Sequence, residues 1–459
     1  MMLNLRTHLM ILPSWLTLAY VCIALGVMRH NGAYTPDALV MVLVGAAALG
    51  VGAVDAWRRG DFGTPRAWRW RLVIALAVLI ISGMLRHALM YEQHATYEQL
   101  FIGVNALVFV LVTFCYTAEK RAAHASTRWV FAGCVLLAFM MRVLIPWGSP
   151  APIIDVFTML QESAQHALHG LNPYSTPVSD VYQGSKGGWY YGYHLWGYAY
   201  LPANLYAHTL AYAAFGDVRY GYVVAEAVCV GVLWWLGRHA GQGSIAELAV
   251  LLFLFHPRGL FTLEQAWTEP LIAMMLALFV WWHQRCPNSL AGAAAYGVML
   301  SLKQYLIFFV VHGLMLERRL SRIVTCVVVT LLTVAPFVLL DVHSFWQSAV
   351  MFQIKSPFRV DGLTVPALLY RAFGITVNKW PAASVGLVTS LVTFKLFARD
   401  GMRCFFFAAS LTTLLLFLSS DQAFCNYYYF LSWLLCFLII FCAHDATPCP
   451  DQGGNEYCP

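Results

Sequence analysis

Apolar residues run along this chain in long unbroken stretches, not in the strict alternation of strands. Stretches of about 17 to 25 apolar residues, the length that crosses a ~30 Å hydrocarbon core as helix, recur near residues 9–28, 37–57, 72–91, 98–117 and 129–148, and again at 219–237, 245–260, 266–283, 323–340, 381–398, 404–419 and 427–443. Only helices satisfy their own backbone within one segment, so the pattern predicts an all-α, polytopic transmembrane helical bundle of about 12–15 membrane helices. Two polar interruptions stand out. The first, near 149–190, contains PIIDVFTMLQESAQHALHGLNPYSTP; residues 155–169 there read as an amphipathic helix, with Val156, Met159, Leu160, Ala164, Ala167 and Leu168 on one face. Gly170 ends that helix and Asn172-Pro173-Tyr174 turns the chain. The second, near 342–376, reads as a short interfacial helix over HSFWQSAVMF, a loop QIKSPFRVDG, and LTVPALLYRAFG, too short and too charged to span. Residues 189–215 carry many Tyr and Trp and read either as a span or as a re-entrant element bent at Pro202; the second threading, with 289–316 as a helix broken at Lys303, is preferred because it keeps Arg238 and Arg285 inside.

Composition agrees with the pattern, since 60% of the 459 residues are hydrophobic and 11% charged, far from the soluble average. The net charge of +6 collects in short loops such as RRGDFGTPRAWRWR, EKRAAHASTR and ERRLSR, while YEQHATYEQ and SDQAFCN hold no Lys or Arg. Positive loops face the cytoplasm, so the Asp155 loop is expected on the external side and the charge is topological, with no nucleic-acid partner. Nothing at the N-terminus reads as a cleaved signal. Three regions follow: an accessory four-helix block over 1–128, a catalytic module over 129–443, and a polar cytoplasmic tail over 444–459. Abundant Ala, Gly and Arg, with no glycosylation sequon, point to a bacterial inner membrane. Most of the twelve cysteines lie within apolar stretches without zinc-site spacing, and no structural disulfide is expected.

Charge within or beside a bilayer is costly, by about 2.5–3.5 kcal/mol at a helix centre, so each charged residue there needs a reason. Asp155, Glu264, Glu269, Lys303, Lys355 and Arg359 all fall on the expected external side. A carboxylate among cations suits group transfer from a lipid phosphate: the acid deprotonates an acceptor hydroxyl and Lys or Arg neutralises the phosphate that leaves. Each residue also has a structural reading. Asp155 can cap the amphipathic helix, Lys303 can snorkel, and Glu264 and Glu269 can sit at a helix entrance to suit its dipole. Lys355 and Arg359 can bind lipid headgroups without catalysis. His166, His169, His194 and His208 read as interface histidines, not metal ligands, because no carboxylate stands at ligand spacing.

Asp155, followed by a helix and then Gly170-Leu171-Asn172-Pro173-Tyr174, resembles the first external loop of GT-C superfamily glycosyltransferases, especially the polyprenyl-phosphate-dependent mannosyl- and arabinofuranosyl-transferase-like group. Tyr200-Leu201-Pro202, Ser301-Leu302-Lys303 and Asn426-Tyr427-Tyr428 resemble later motifs of that family, and the likeness covers roughly 135–440. It implies an inverting hexosyl- or pentosyl-transferase that takes sugar from a polyprenyl-phosphate donor to a hydroxyl of a lipid or glycan acceptor. By the same resemblance Asp155 is the base. For the donor phosphate the residues favoured are Lys303, Arg359 and Lys355; Asn172 and Tyr174 are expected to shape the loop, with Glu264 and Glu269 as secondary candidates. Many relatives carry paired acids here, whereas Ile153-Ile154-Asp155-Val156 has one, which puts a bound divalent metal in doubt. The alternative is a transporter or flippase for a lipid-linked or anionic substrate; a catalytically dead scaffold is a third reading.

Overall fold

The computed structural model describes residues 13–59, 65–117, 123–182, 197–287, 289–397 and 401–444. Its α-helices, in chain order, begin with α1 (Pro13–Arg29), α2 (Pro36–Arg59), α3 (Pro65–Met84), α4 (Ala95–Thr117), α5 (Ala123–Val143), α6 (Ile145–Gly148), α7 (Asp155–Leu168) and α8 (Pro202–Phe215). Next come α9 (Arg219–His239), α10 (Gly243–Leu254), α11 (Gly259–Glu264), α12 (Glu269–Arg285), α13 (Leu290–Leu300), α14 (Phe309–Leu316) and α15 (Leu320–Leu340). The chain closes with α16 (Val342–Phe345), α17 (Phe352–Lys355), α18 (Val365–Phe373), α19 (Trp380–Phe397), α20 (Gly401–Ser419) and α21 (Cys425–His444). No strand forms among the described residues; a single isolated bridge joins Ala33 to Gly362.

Six of these helices are long and apolar enough to cross a membrane, and five shorter helices are apolar, so the chain is a helical membrane protein. The expected dozen or more full spans thus becomes a mixture of whole and interrupted helices. The interruptions have local causes. α10 stops at Leu254 because Pro257 pushes the residue before it away from helical geometry and removes a donor. The 289–316 stretch breaks at Lys303, whose backbone is extended (φ −151°, ψ 145°), and resumes through a 3-10 turn, Gln304–Phe308, into α14.

α21 forms the core of the bundle: its central residues, including Leu431, Leu434 and Leu435, are sealed from solvent. α1, α9, α10, α12 and α20 pack on it, and α3 in turn packs on α1 and α10. α15, by contrast, leaves its apolar surface open, which suits a helix facing lipid tails.

α7 is the amphipathic helix of the first polar interruption, and Met159, Leu160 and Ala164 form its buried side. It ends in a Schellman motif: Gly170 at φ +74° donates to the Ala167 carbonyl and Leu171 to that of His166. Asn172 then accepts the Tyr174 N–H at 3.1 Å, so the turn caps itself. In the second interruption α16, a π-helical turn over Trp346–Met351 and α17 follow one another, and α18 stops at Gly374. Of the element expected over 189–215, the half from Pro202 onward is α8, and 183–196, with His194, lies outside the described residues. The tail cysteines Cys449 and Cys458 also lie outside them; the ten described cysteines are free thiols.

Candidate active site

Asp155 is the first residue of α7, and Ile154, with no side-chain acceptor, occupies the capping position. The carboxylate therefore does not serve as the N-cap that the structural reading assigned to it. Its Oδ1 accepts the adjacent Val156 N–H at 2.9 Å and the Tyr182 hydroxyl at 3.2 Å. It is 6% exposed. Burial, with the Asp155 charge next, pushes the Tyr182 phenol up from its usual range, so it remains a hydrogen-bond donor.

Lys303 reaches the same cavity from the break between α13 and the 3-10 turn. Its ammonium donates to Glu269 Oε1 at 2.6 Å and lies 4.9–5.5 Å from the ring centroids of Tyr200, Tyr305 and Tyr427. The Asn426 amide donates to the same Glu269 oxygen at 2.8 Å, while Glu269 Oε2 accepts no hydrogen bond.

Arg359 holds Asp361 through two contacts of 2.9 Å and stacks over Phe424, 4.8 Å from the ring centroid. Beside it, Lys379 donates to Ser356 Oγ at 2.6 Å and stands 3.5 Å from Asp421. Burial lowers the Lys379 ammonium and raises the Asp421 carboxyl from their usual values, so both charges are held at some cost. Lys355, expected in the phosphate clamp, ends α17 exposed and lines neither lobe of the cavity.

These groups surround two adjoining hollows. The inner one, about 100 Å³, is lined by Lys303, Asn426, Tyr427, Gln353 and Ser356. The outer one, about 290 Å³, is lined by His30, Asn31, Tyr91, Gln265 and Asp361. Asp155, Val156, Trp267, Arg359 and Phe424 line both. The carboxylate thus stands in the common wall, with the ammonium of Lys303 on the inner side and aromatic and amide groups outside.

Glu264 and Glu269, near neighbours in sequence, have separate positions. Glu264 ends α11 outside both linings, and its carboxylate accepts the backbone N–H groups of Met90 at 2.6 Å and Tyr91 at 2.8 Å. It is a clamp on the α3–α4 connection. Burial, with the Glu264 and Asp155 charges next, raises the Tyr91 phenol. The α1–α2 turn is pinned as well: Arg258 donates to Asn31 Oδ1 at 3.0 Å, and Tyr34 N–H to the Asp361 carbonyl at 2.8 Å. Gly32, at φ +78°, lies so close to α21 that a Cβ would come 2.1 Å from the Cys425 nitrogen. Residues 1–128, read from sequence as an accessory block, therefore supply His30, Asn31, Met90 and Tyr91 to the outer wall.

Asn172 and Tyr174 do not line the hollows; they brace the loop. The Tyr174 hydroxyl donates to the Tyr200 carbonyl at 2.9 Å and its carbonyl accepts Ser348 Oγ at 2.8 Å. Tyr91, Tyr182, Trp267, Gln353 and Lys379 escaped sequence reasoning, because single polar or aromatic residues in short loops carry no spacing signal. His208 is enclosed by the Tyr222 and Tyr198 hydroxyls. Among the described residues the compact grouping of three potential metal ligands is His87, Glu92 and Glu98, in the α3–α4 connection and first turn of α4, and Asp155 is not part of it. No family model, curated protein or solved structure matches the chain.

Proposed function

We propose that this protein is a GT-C-like membrane glycosyltransferase that moves a sugar from a polyprenyl-phosphate donor to an acceptor hydroxyl, inverting the anomeric centre. The observation that carries the reading is the position of Asp155 in the wall common to two cavities, with Arg359 shared by both and Lys303 lining the inner one. The donor phosphate occupies the inner lobe, where Lys303 and Arg359 receive its charge and Lys379 stands at the rim. The acceptor enters the outer lobe beside Tyr91 and Trp267, whose rings suit the faces of a sugar. Asp155 takes the acceptor O–H proton, the acceptor oxygen bonds to C1, and the C1–O bond to phosphate breaks with its electron pair leaving on the phosphate. One displacement gives inversion. No step requires a metal.

The basic loops orient this end of the bundle to the external face, in a bacterial inner membrane. Purified protein incubated with a panel of labelled polyprenyl-phosphate sugars should release lipid phosphate from one of them when acceptor is present. The Asp155→Asn protein should insert and melt normally yet release it at least about 10²-fold more slowly. Near-normal turnover by that variant removes Asp155 as the base, and a panel left intact by the native chain removes the transferase reading.

A further inference from the structure

Glu264 lines neither lobe of the cavity, yet the groups it holds belong to the outer one. Its carboxylate, sealed from solvent, accepts the Met90 N–H at 2.6 Å, the Tyr91 N–H at 2.8 Å and the Gln265 side-chain amide at 3.1 Å, and Met90, Tyr91 and Gln265 all line that lobe. The last of these bonds decides how Gln265 can act. Its nitrogen is committed to Glu264, so the oxygen is the atom left to receive a ligand. On Asn31 the assignment is reversed: the oxygen accepts from Arg258 Nη1 at 3.0 Å, which leaves the amide nitrogen as a donor in the same lining. Asn31 stands at φ +56°, in the left-handed region that Asn tolerates better than most residues. The outer lobe therefore carries one fixed donor and one fixed acceptor, each held by a buried charge.

We propose that Glu264 is the positioning residue of the outer lobe, and that the amide pair of Asn31 and Gln265 selects an acceptor with further hydroxyl groups beside the one that reacts. This rests on the transferase reading above and names the class of acceptor that reading would take. Hydroxyls both give and take hydrogen bonds, so a polyhydroxy acceptor satisfies the two amides, whereas a plain alcohol displaces water from them and returns nothing. Neither amide can turn to hide the mismatch, because turning breaks its bond to a buried charge. Sites built this way discriminate strongly against an analogue that lacks the hydroxyl. Glu264 acts from outside the contact surface. Two backbone bonds set where the α3–α4 connection presents Tyr91, and one side-chain bond sets which end of Gln265 the acceptor meets. Asn31 and Tyr91 sit in loops of the first four helices, so that block takes part in choosing the acceptor, while Lys303 and Arg359 of later elements hold the donor.

The test gives the full chain, in a detergent without a sugar headgroup, the panel of labelled polyprenyl-phosphate sugars with either octyl mannopyranoside or octanol as acceptor, and compares kcat/KM for the two. The native chain should prefer the glycoside by at least about tenfold, the worth of one hydrogen bond to a held group. Glu264→Gln offers one carbonyl to two backbone N–H groups and should cut that ratio about tenfold, through the KM for the glycoside. Asn31→Asp keeps the bond from Arg258, loses the donor, and should do the same; its half-exposed side chain carries the test if Glu264→Gln fails to fold. A Glu264 that only braced the fold would lower the melting temperature and leave the ratio where it was. A native ratio near one, or an unchanged ratio in either folded variant, overturns this inference and leaves the transferase reading standing. A donor panel left intact with both acceptors removes the transferase reading and this inference with it.

Discussion

Arg142 with Glu226 and Lys303 with Glu269 are both ion pairs withdrawn from water, and they teach opposite lessons. Around Arg142 each guanidinium nitrogen is engaged: Glu226 receives Nε, the Ala138 carbonyl accepts from Nη1 at 3.0 Å, and the Leu254 carbonyl accepts from Nη2 at 2.9 Å. The Tyr429 hydroxyl donates to the other Glu226 oxygen, which completes the set. Lys303 and Glu269 are equally buried but incomplete. The lysine faces a cavity and donates to one carboxylate oxygen, while the second oxygen is bare. A saturated pair locks helices together; an unsaturated one beside a hollow has capacity left for a ligand. The difference lies in the surroundings of each pair, not in its residue types.

The largest expected effect that sharpens the comparison belongs to the open region, outside either pair. Asp155→Asn should lower turnover by about 10²–10⁴, the usual worth of a general base, with no change in melting temperature. Next, Arg142→Met should leave Glu226 uncompensated in the core and cost about 3–5 kcal/mol, seen as a lower melting temperature and poor yield in detergent, with donor binding intact in the folded fraction. Lys303→Met should cost less, about 1–3 kcal/mol, because Asn426 still donates to Glu269 and the cavity admits water; its larger consequence should be a raised KM for the lipid-phosphate donor. Equal destabilisation by the two Met variants would erase the distinction.

The smallest effect comes from an exposed acid that serves as a baseline. Asp341 opens α16, and bonds from Ser344 hold its carboxyl below the usual 3.8. Its contribution is therefore complete above about pH 4 and fades as the pH falls through the lower folded value. The Asp341→Asn protein should show a flatter decline of melting temperature below pH 4 and no difference at neutral pH.

Much of the fold was legible because helices leave periodic or continuous signals. The stripe Met159, Leu160 and Ala164 announced α7, and the Gly170 stop and the interruption at Lys303 could be read from single residues. The site was legible only in part. Glu264 and Glu269 look interchangeable on paper, yet one grips Met90 and Tyr91 across 174 and 173 residues of sequence while the other faces Lys303. Lys355 fell outside because α17 ends in the phase that turns it to solvent. The contribution of the first four helices escaped because pinning of their loops by Arg258, Glu264 and Asp361 depends on distant packing, which spacing does not encode.

The close approach of Gly32 to Cys425 has a consequence for biogenesis. α1 and the turn that follows it leave the ribosome well before α21, the helix they lean on. At about 5–20 residues per second, the earliest span waits roughly 20–80 s for its partner. During that interval its packing face has only provisional neighbours, so a chain cut short before α21 would be a substrate for quality-control proteases rather than a smaller folded protein.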